Sequence, residues 1–107
     1  LSLDEMEFRL NRQPWIKQAV LTPLKSHGGS NRPSIGAVIV LNRRGKALLR
    51  ERGRLAVSKT LRFELGKHFD AVTMPRYFRY ADSLPLNYQG KISQAALKDL
   101  FSGGPDR

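Results

Sequence analysis

Residues 74 to 97 read Met74-Pro75-Arg76-Tyr77-Phe78-Arg79-Tyr80-Ala81-Asp82-Ser83-Leu84-Pro85-Leu86-Asn87-Tyr88-Gln89-Gly90-Lys91-Ile92-Ser93-Gln94-Ala95-Ala96-Leu97, and their punctuation decides the fold. Pro75 to Ala81 is rich in aromatic residues and predicts a strand. Tyr77, Phe78 and Tyr80 could stack on nucleic-acid bases, but half-buried strands use such residues for core and cross-strand packing, and we read them so. Pro85 fixes its own φ and pushes Leu84 toward an extended conformation, so the strand cannot continue through it. Asn87 and Gly90 are turn residues, and Gly90 accepts a positive φ without steric cost. Ser93 is a good N-cap for a short helix running to Phe101. Lys91 thus leaves a tight turn just before a helix start, where free amides also favour an anion.

Upstream of this stretch lies a second strand signal. Ile35 to Leu41 is almost wholly apolar, which predicts a central strand buried on both faces. Ile16 to Leu24 predicts another strand, with Pro23 at its end. Lys25 to Pro33, containing Gly28-Gly29 and Pro33, has the composition of a loop. At the N-terminus Ser2 and Glu5 have capping-box spacing, and Leu3, Met6 and Leu10 form an apolar stripe before Pro14 stops the helix near Arg12. Asp4, Glu5 and Glu7 sit where the helix dipole favours negative charge, which accounts for them without invoking metal or acid–base chemistry.

The middle of the chain is less decided. Asn42-Arg43-Arg44-Gly45 reads as a turn, and Ala47 to Arg52 as either a short helix or a returning strand punctuated by Gly53. From Leu55 to Phe69 a helix is predicted, because Val57, Leu61, Leu65 and Phe69 recur every four residues. Asp70 to Met74 is a connector. The expected architecture is α+β, with a small central sheet of about three strands flanked by helices.

Composition bounds the chemistry. The 107 residues suit a single domain and one modest core. No cysteine is present, so disulfides, thiolate zinc sites and cysteine nucleophiles are excluded. His27 and His68 are the only histidines and lack companion ligands, so no metal site is predicted. No apolar run approaches the roughly 20 residues needed to span a bilayer. Nineteen basic against nine acidic residues give a formal charge of +10, an excess that favours polyanions. Arg43, Arg44, Lys46, Arg50, Arg52 and Arg54 form a basic cluster without the aromatic interleaving of single-strand binding platforms; a solvated face is the first reading and an anion-contacting face the second.

The stretch from Met74 to Leu97 closely resembles the C-terminal signature of the acyl-adenylate-forming superfamily, which includes acyl- and aryl-CoA synthetases, peptide-synthetase adenylation domains and luciferases. The residues that carry the resemblance are Pro75-Arg76, Asp82, Leu84-Pro85 and Gly90-Lys91. Leu1 to Glu7 resembles the helix that opens the small domain of those enzymes, and Pro14-Trp15-Ile16 with the strand to Leu21 also fits. The match is weak from Lys25 to Phe69. Gln94 departs from the pattern, since many relatives carry arginine or lysine there.

The resemblance implies the mobile C-terminal subdomain of an AMP-dependent acyl-CoA or acyl-carrier-protein ligase, with most like kinship to an acyl-CoA synthetase. It implies a cytoplasmic enzyme that uses ATP and Mg2+ to make an acyl-AMP from a carboxylic acid, then passes the acyl group to coenzyme A or phosphopantetheine. Lys91 would be the catalytic lysine, Pro85 and Gly90 would shape its loop, and Arg76 would meet the phosphates of coenzyme A or phosphopantetheine. Its partners would be its own N-terminal adenylation domain, coenzyme A or an acyl carrier protein, and a carboxylic acid; neither membrane nor nucleic acid is expected. The glycine-rich phosphate loop, the ribose-binding aspartate and the acyl pocket of the family lie in the large domain, so residues 1–107 are expected to be a fragment that adenylates nothing alone. Two rivals are a small basic nucleic-acid-binding module, which leaves the Pro75 to Lys91 pattern unexplained, and a non-catalytic docking domain for an acidic carrier protein.

Overall fold

The computed structural model describes residues 3–24, 34–70 and 73–101. Their order is α1 (Leu3–Asn11), β1 (Ile16–Leu24), β2 (Ser34–Leu41), α2 (Arg43–Leu65), β3 (Tyr77–Ala81) and α3 (Gln94–Asp99). The three strands form one sheet in the order β1-β2-β3. β1 pairs antiparallel with β2, and β2 pairs parallel with β3 across the α2 crossover. A parallel pair needs such a long connection, and a helix supplies it. The α+β expectation holds.

The alternation of side chains along β1 and β2 builds two apolar layers. Ala37, Ile39 and Leu41 of β2 face one side with Ala19 and Leu21 of β1, where Met6 and Leu10 of α1 and Val57, Leu61 and Leu65 of α2 pack on them. Val38 and Val40 face the other side with Val20 and Leu24, under Leu84, Leu97 and Phe101. β2 is therefore covered on both faces, which is why its sequence is continuously apolar. Each fully buried Val, Ile or Leu of this kind contributes about 1.5–3 kcal/mol. Phe78 is fully buried, and the Tyr80 hydroxyl meets the buried Ser58 hydroxyl at 2.7 Å. The aromatic residues of β3 thus serve packing.

Two sequence expectations need correction, and one open choice is decided. Asn42 to Gly45 is not a turn but the start of α2. Asn42 is its N-cap: its Oδ1 accepts from the Gly45 amide at 3.0 Å, and its Nδ2 donates to the Pro14 carbonyl at 2.8 Å. Asparagine suits both turns and caps, and here the capping use wins. The undecided segment from Arg43 onward is helical, and α2 consists of two helical stretches that meet at Gly53, whose φ 86°, ψ 162° is non-helical and open essentially to glycine alone. At its other end α2 stops at Leu65, short of Phe69. Lys67 and His68 make tighter i→i−3 bonds to Glu64 and Leu65, and Phe69 packs on the core from outside the helix.

The outer edge of β1 is satisfied by side chains. Asn11 accepts from the Ala19 amide at 2.9 Å and donates to the Ala19 carbonyl at 3.0 Å. Glu7 accepts from the Leu21 amide at 2.9 Å. Glu7 is therefore a surrogate strand partner rather than part of the helix-start charge, which falls to Asp4 and Glu5. Ser2 and residues 25–33, including His27, lie outside the described residues. No helix among the described residues is long and apolar enough to cross a membrane.

Asn11→Ala leaves both polar groups of the buried Ala19 without their partner, a loss of about 1–3 kcal/mol. Urea unfolding of the chain reads this as a lowered midpoint at constant slope. An unchanged midpoint would remove Asn11 from the account of the sheet edge.

Candidate functional site

Beyond β3 the chain bends at Asp82-Ser83 and re-enters the core at Leu84. Pro85 follows, and its carbonyl accepts from the Ser93 amide at 2.9 Å. Between them Leu86 and Ile92 form an antiparallel bridge, closing a small hairpin with Lys91 near its tip. Asn87 organises this hairpin. Its amide donates to the Lys91 carbonyl at 2.7 Å, and its carbonyl accepts from the Gly90 amide at 2.9 Å. Its side-chain Oδ1 accepts from the amides of Gln89 at 2.9 Å and Lys91 at 3.0 Å. Gly90 has φ 79°, which a side chain would strain.

Both ends of the hairpin are held down. Leu84 enters it from the buried layer, and α3, which ends at Asp99 short of the expected Phe101, leaves it carrying Leu97 into the same layer, with Phe101 just beyond. Ser93 caps α3, its Oγ accepting from the Ala96 amide at 3.2 Å. Arg79 of β3 ties down the far end of α3 by donating to the Leu100 carbonyl at 2.7 Å and lying over the Phe101 ring. α3 is a single short helix of 6 residues, so its dipole adds little beside Lys91. The backbone at Lys91 is placed by the hairpin's own hydrogen bonds.

An open groove of about 610 Å³ runs beside this hairpin. Gly90, Lys91 and Ile92 form one wall, Asp82 to Leu84 another, and Lys17 and Gln18 of β1 the third, over Val40 of β2. Asp82 faces Lys46 of α2, with Nζ to Oδ1 at 3.9 Å. The Lys91 ammonium has no hydrogen-bond or ion-pair partner among the described residues, and Lys91 is exposed. Such a cation on a flexible stem can meet an anionic group delivered from outside the chain.

The sequence-derived candidates divide. Pro85, Gly90 and Lys91 belong to one hairpin. Arg76 does not join them: it stands before β3, opposite the end that leads to Asp82, and lines no part of the groove. Its amide donates to the Ile35 carbonyl at 2.8 Å, its carbonyl accepts from Arg62 at 2.9 Å, and its guanidinium lies 6.0 Å from the Tyr77 ring centre. Lys17 and Gln18 were missed, because nothing in their spacing links them to Lys91; the sheet alone brings them together. Arg43, Arg44, Lys46, Arg50, Arg52 and Arg54 are all exposed along the first part of α2. Among the described residues no three His, Asp or Glu side chains gather where a metal ion could be held.

No protein-family model matches the chain. A curated relative, a D-alanine–D-alanyl carrier protein ligase of Staphylococcus epidermidis, is 24% identical over 103 residues, covering 96% of this chain and 20% of the relative. Among solved structures, the benzoate CoA ligase of Burkholderia xenovorans is 22% identical with a TM-score of 0.70, over 92% of this chain and 18% of its own. ATP-bound MatB of Rhodopseudomonas palustris is 17% identical with a TM-score of 0.69, over 94% and 18%. The chain has the fold of the C-terminal part of these adenylate-forming ligases, so the resemblance read from the sequence extends to the fold. It spans about a fifth of the length of the curated relative it matches.

Asn87→Ala removes the acceptor shared by the Gln89 and Lys91 amides. Hydrogen exchange at the Lys91 amide should quicken by about tenfold, the equivalent of one ordinary hydrogen bond. Exchange at the wild-type rate would show that the hairpin does not depend on the Asn87 side chain.

Proposed function

We propose that this chain is the C-terminal subdomain of an ATP-dependent acid–thiol ligase and that Lys91 is its catalytic lysine. The observation that carries the reading is Lys91 itself: an exposed ammonium on a braced hairpin beside an open groove, in a chain with the fold of the C-terminal part of adenylate-forming ligases.

The chemistry follows from charge. A carboxylate oxygen attacks the α-phosphorus of ATP, the new O–P bond gives an acyl-adenylate, and the bond to the β-phosphate breaks to release pyrophosphate. Negative groups are forced together, and charge grows on the phosphoryl oxygens in the transition state. A positioned cation stabilises that state more than the separated reactants, which is the requirement for catalysis. Pro85 and Gly90 shape the loop that presents Lys91. The acyl group then passes to the thiol of coenzyme A or of a carrier-protein phosphopantetheine, with AMP as leaving group.

The remaining parts are assigned to an N-terminal adenylation domain in the same protein. The phosphate loop, the ribose contact, the acyl pocket and the carboxylates for Mg2+ belong there, and the present chain alone would be inactive. Such an arrangement suits a lysine that swings in for one step and out for the next. We place the enzyme in the cytoplasm. Arg76 is kept as a candidate for the phosphates of the thiol acceptor, at a place distinct from the Lys91 groove. The exposed basic part of α2 favours a second reading, a docking face for an acidic carrier protein with Lys91 incidental.

The test is Lys91→Ala in the full-length ligase. Adenylation, followed by pyrophosphate–ATP exchange, should fall by about 10²–10³. Thioester formation from supplied acyl-AMP should largely survive. Equal loss of both half-reactions would sink the assignment, and undiminished adenylation would favour the docking reading. Acetylation of Lys91 removes the same charge and should likewise silence adenylation.

A further inference from the structure

The register of β1 against β2 shifts between Ile16 and Gln18, so Lys17 is the extra residue of a β-bulge. Burial follows the irregularity: Ile16 and Ala19 are buried, while Lys17 and Gln18 are consecutively exposed. Regular pleating would send these two neighbours to opposite faces. Instead both line the groove that Lys91 lines. Bulges re-aim side chains in this way, often beside functional sites.

An edge-strand lysine commonly serves to discourage pairing with another chain. Here that need is reduced, because Asn11 and Glu7 already occupy the edge at Ala19 and Leu21. The charge balance of the groove also points to a ligand. Its lining includes Lys17, Lys91 and Asp82, two cations against one fully exposed carboxylate that also lies 3.9 Å from Lys46. Two lysines are left facing one concavity, and neither ammonium has an ion-pair or hydrogen-bond partner among the described residues. Val40, Leu84 and Ile92 add apolar surface to the same lining.

We propose that Lys17 is a second cation of the Lys91 site and that the pair grips a phosphoanhydride, with Lys91 on one phosphate and Lys17 on the next. This rests on the function proposed above. If Lys91 meets the phosphorus under attack, Lys17 meets the phosphate beyond it, on the departing pyrophosphate. Lys17 forms and breaks no bond; it orients the chain and offsets charge on the leaving group. Two sources offer the same diphosphate chemistry, the ATP tail and the diphosphate of coenzyme A.

The experiment uses the full-length ligase with Lys17→Ala, Lys17→Arg and Lys59→Ala, the last being an exposed α2 lysine outside the groove. In pyrophosphate–ATP exchange Lys17→Ala should raise the KM for pyrophosphate and for ATP about tenfold, the loss of one charge-assisted hydrogen bond, with a smaller change in kcat. Lys17→Arg should recover most of the loss, and Lys59→Ala should match wild type. A rise confined to the KM for coenzyme A in the thioester half-reaction would assign the grip to that diphosphate instead. Unchanged KM values in both half-reactions, or an equal loss in Lys17→Ala and Lys17→Arg, would overturn the proposal. If Lys91→Ala abolishes adenylation while Lys17→Ala changes nothing, only this inference fails; if neither matters, the functional reading fails with it.

Discussion

Burial of β2 on both faces is the constraint on which everything else depends. A strand buried without a break from Gly36 to Leu41 cannot be served by a single helical layer. One face takes α1 and α2, and the other takes Leu84, Leu97 and Phe101. The second covering layer is small, so the residues that supply it must lie close together in the chain. They flank the Lys91 hairpin directly. The hydrophobic requirement of the sheet and the positioning of the candidate site are thereby one arrangement, since the apolar anchors of the hairpin are also the lid of the core.

This coupling explains how a short hairpin holds its shape with its tip in water. Tyr88 is almost fully exposed, and Gln89, Gly90 and Lys91 are exposed as well. Their backbone order comes from Asn87, which gathers two amides on one side-chain oxygen, and from the Leu86–Ile92 bridge. Local hydrogen bonds in water are individually worth only about 0.5–1.5 kcal/mol. Anchoring at Leu84 and Leu97 reduces the entropy that those bonds must overcome. The backbone is held while the lysine stem stays free, a division of labour that suits a group required to reach a separate body.

Legibility in the sequence followed the range of the interactions. β1 was read to its ends, and the turn around Asn87 and Gly90 and the Ser93 cap were also visible, because each rests on neighbours in the chain. The double burial of β2 showed directly in its unbroken apolar run. Asn42 was misread, because the same short polar side chain serves a turn or a helix cap, and the helix that follows it was not legible. The punctuation at Gly53 was legible, since at φ 86° it divides α2 into two helical stretches, but whether the stretch before it was helix or strand was not. Glu7 was read as helix-start charge, and its role on β1, like that of Asn11, depends on how α1 docks.

The candidate site was half legible for the same reason. Lys91 announces itself through a local string, whereas Lys17 sits on another strand and is aimed by a bulge that leaves no composition signal. A bulge adds one residue to one side of a ladder, and its only trace in the chain is the polar pair Lys17-Gln18 between Ile16 and Ala19. What marks it is a mismatch between burial and alternation, two exposed neighbours where one should be buried. That mismatch has a cost, because the extra residue leaves the ladder locally disrupted. A fold that could have used regular pairing at the start of β1 instead carries an irregularity whose visible result is a second lysine in the groove of the first.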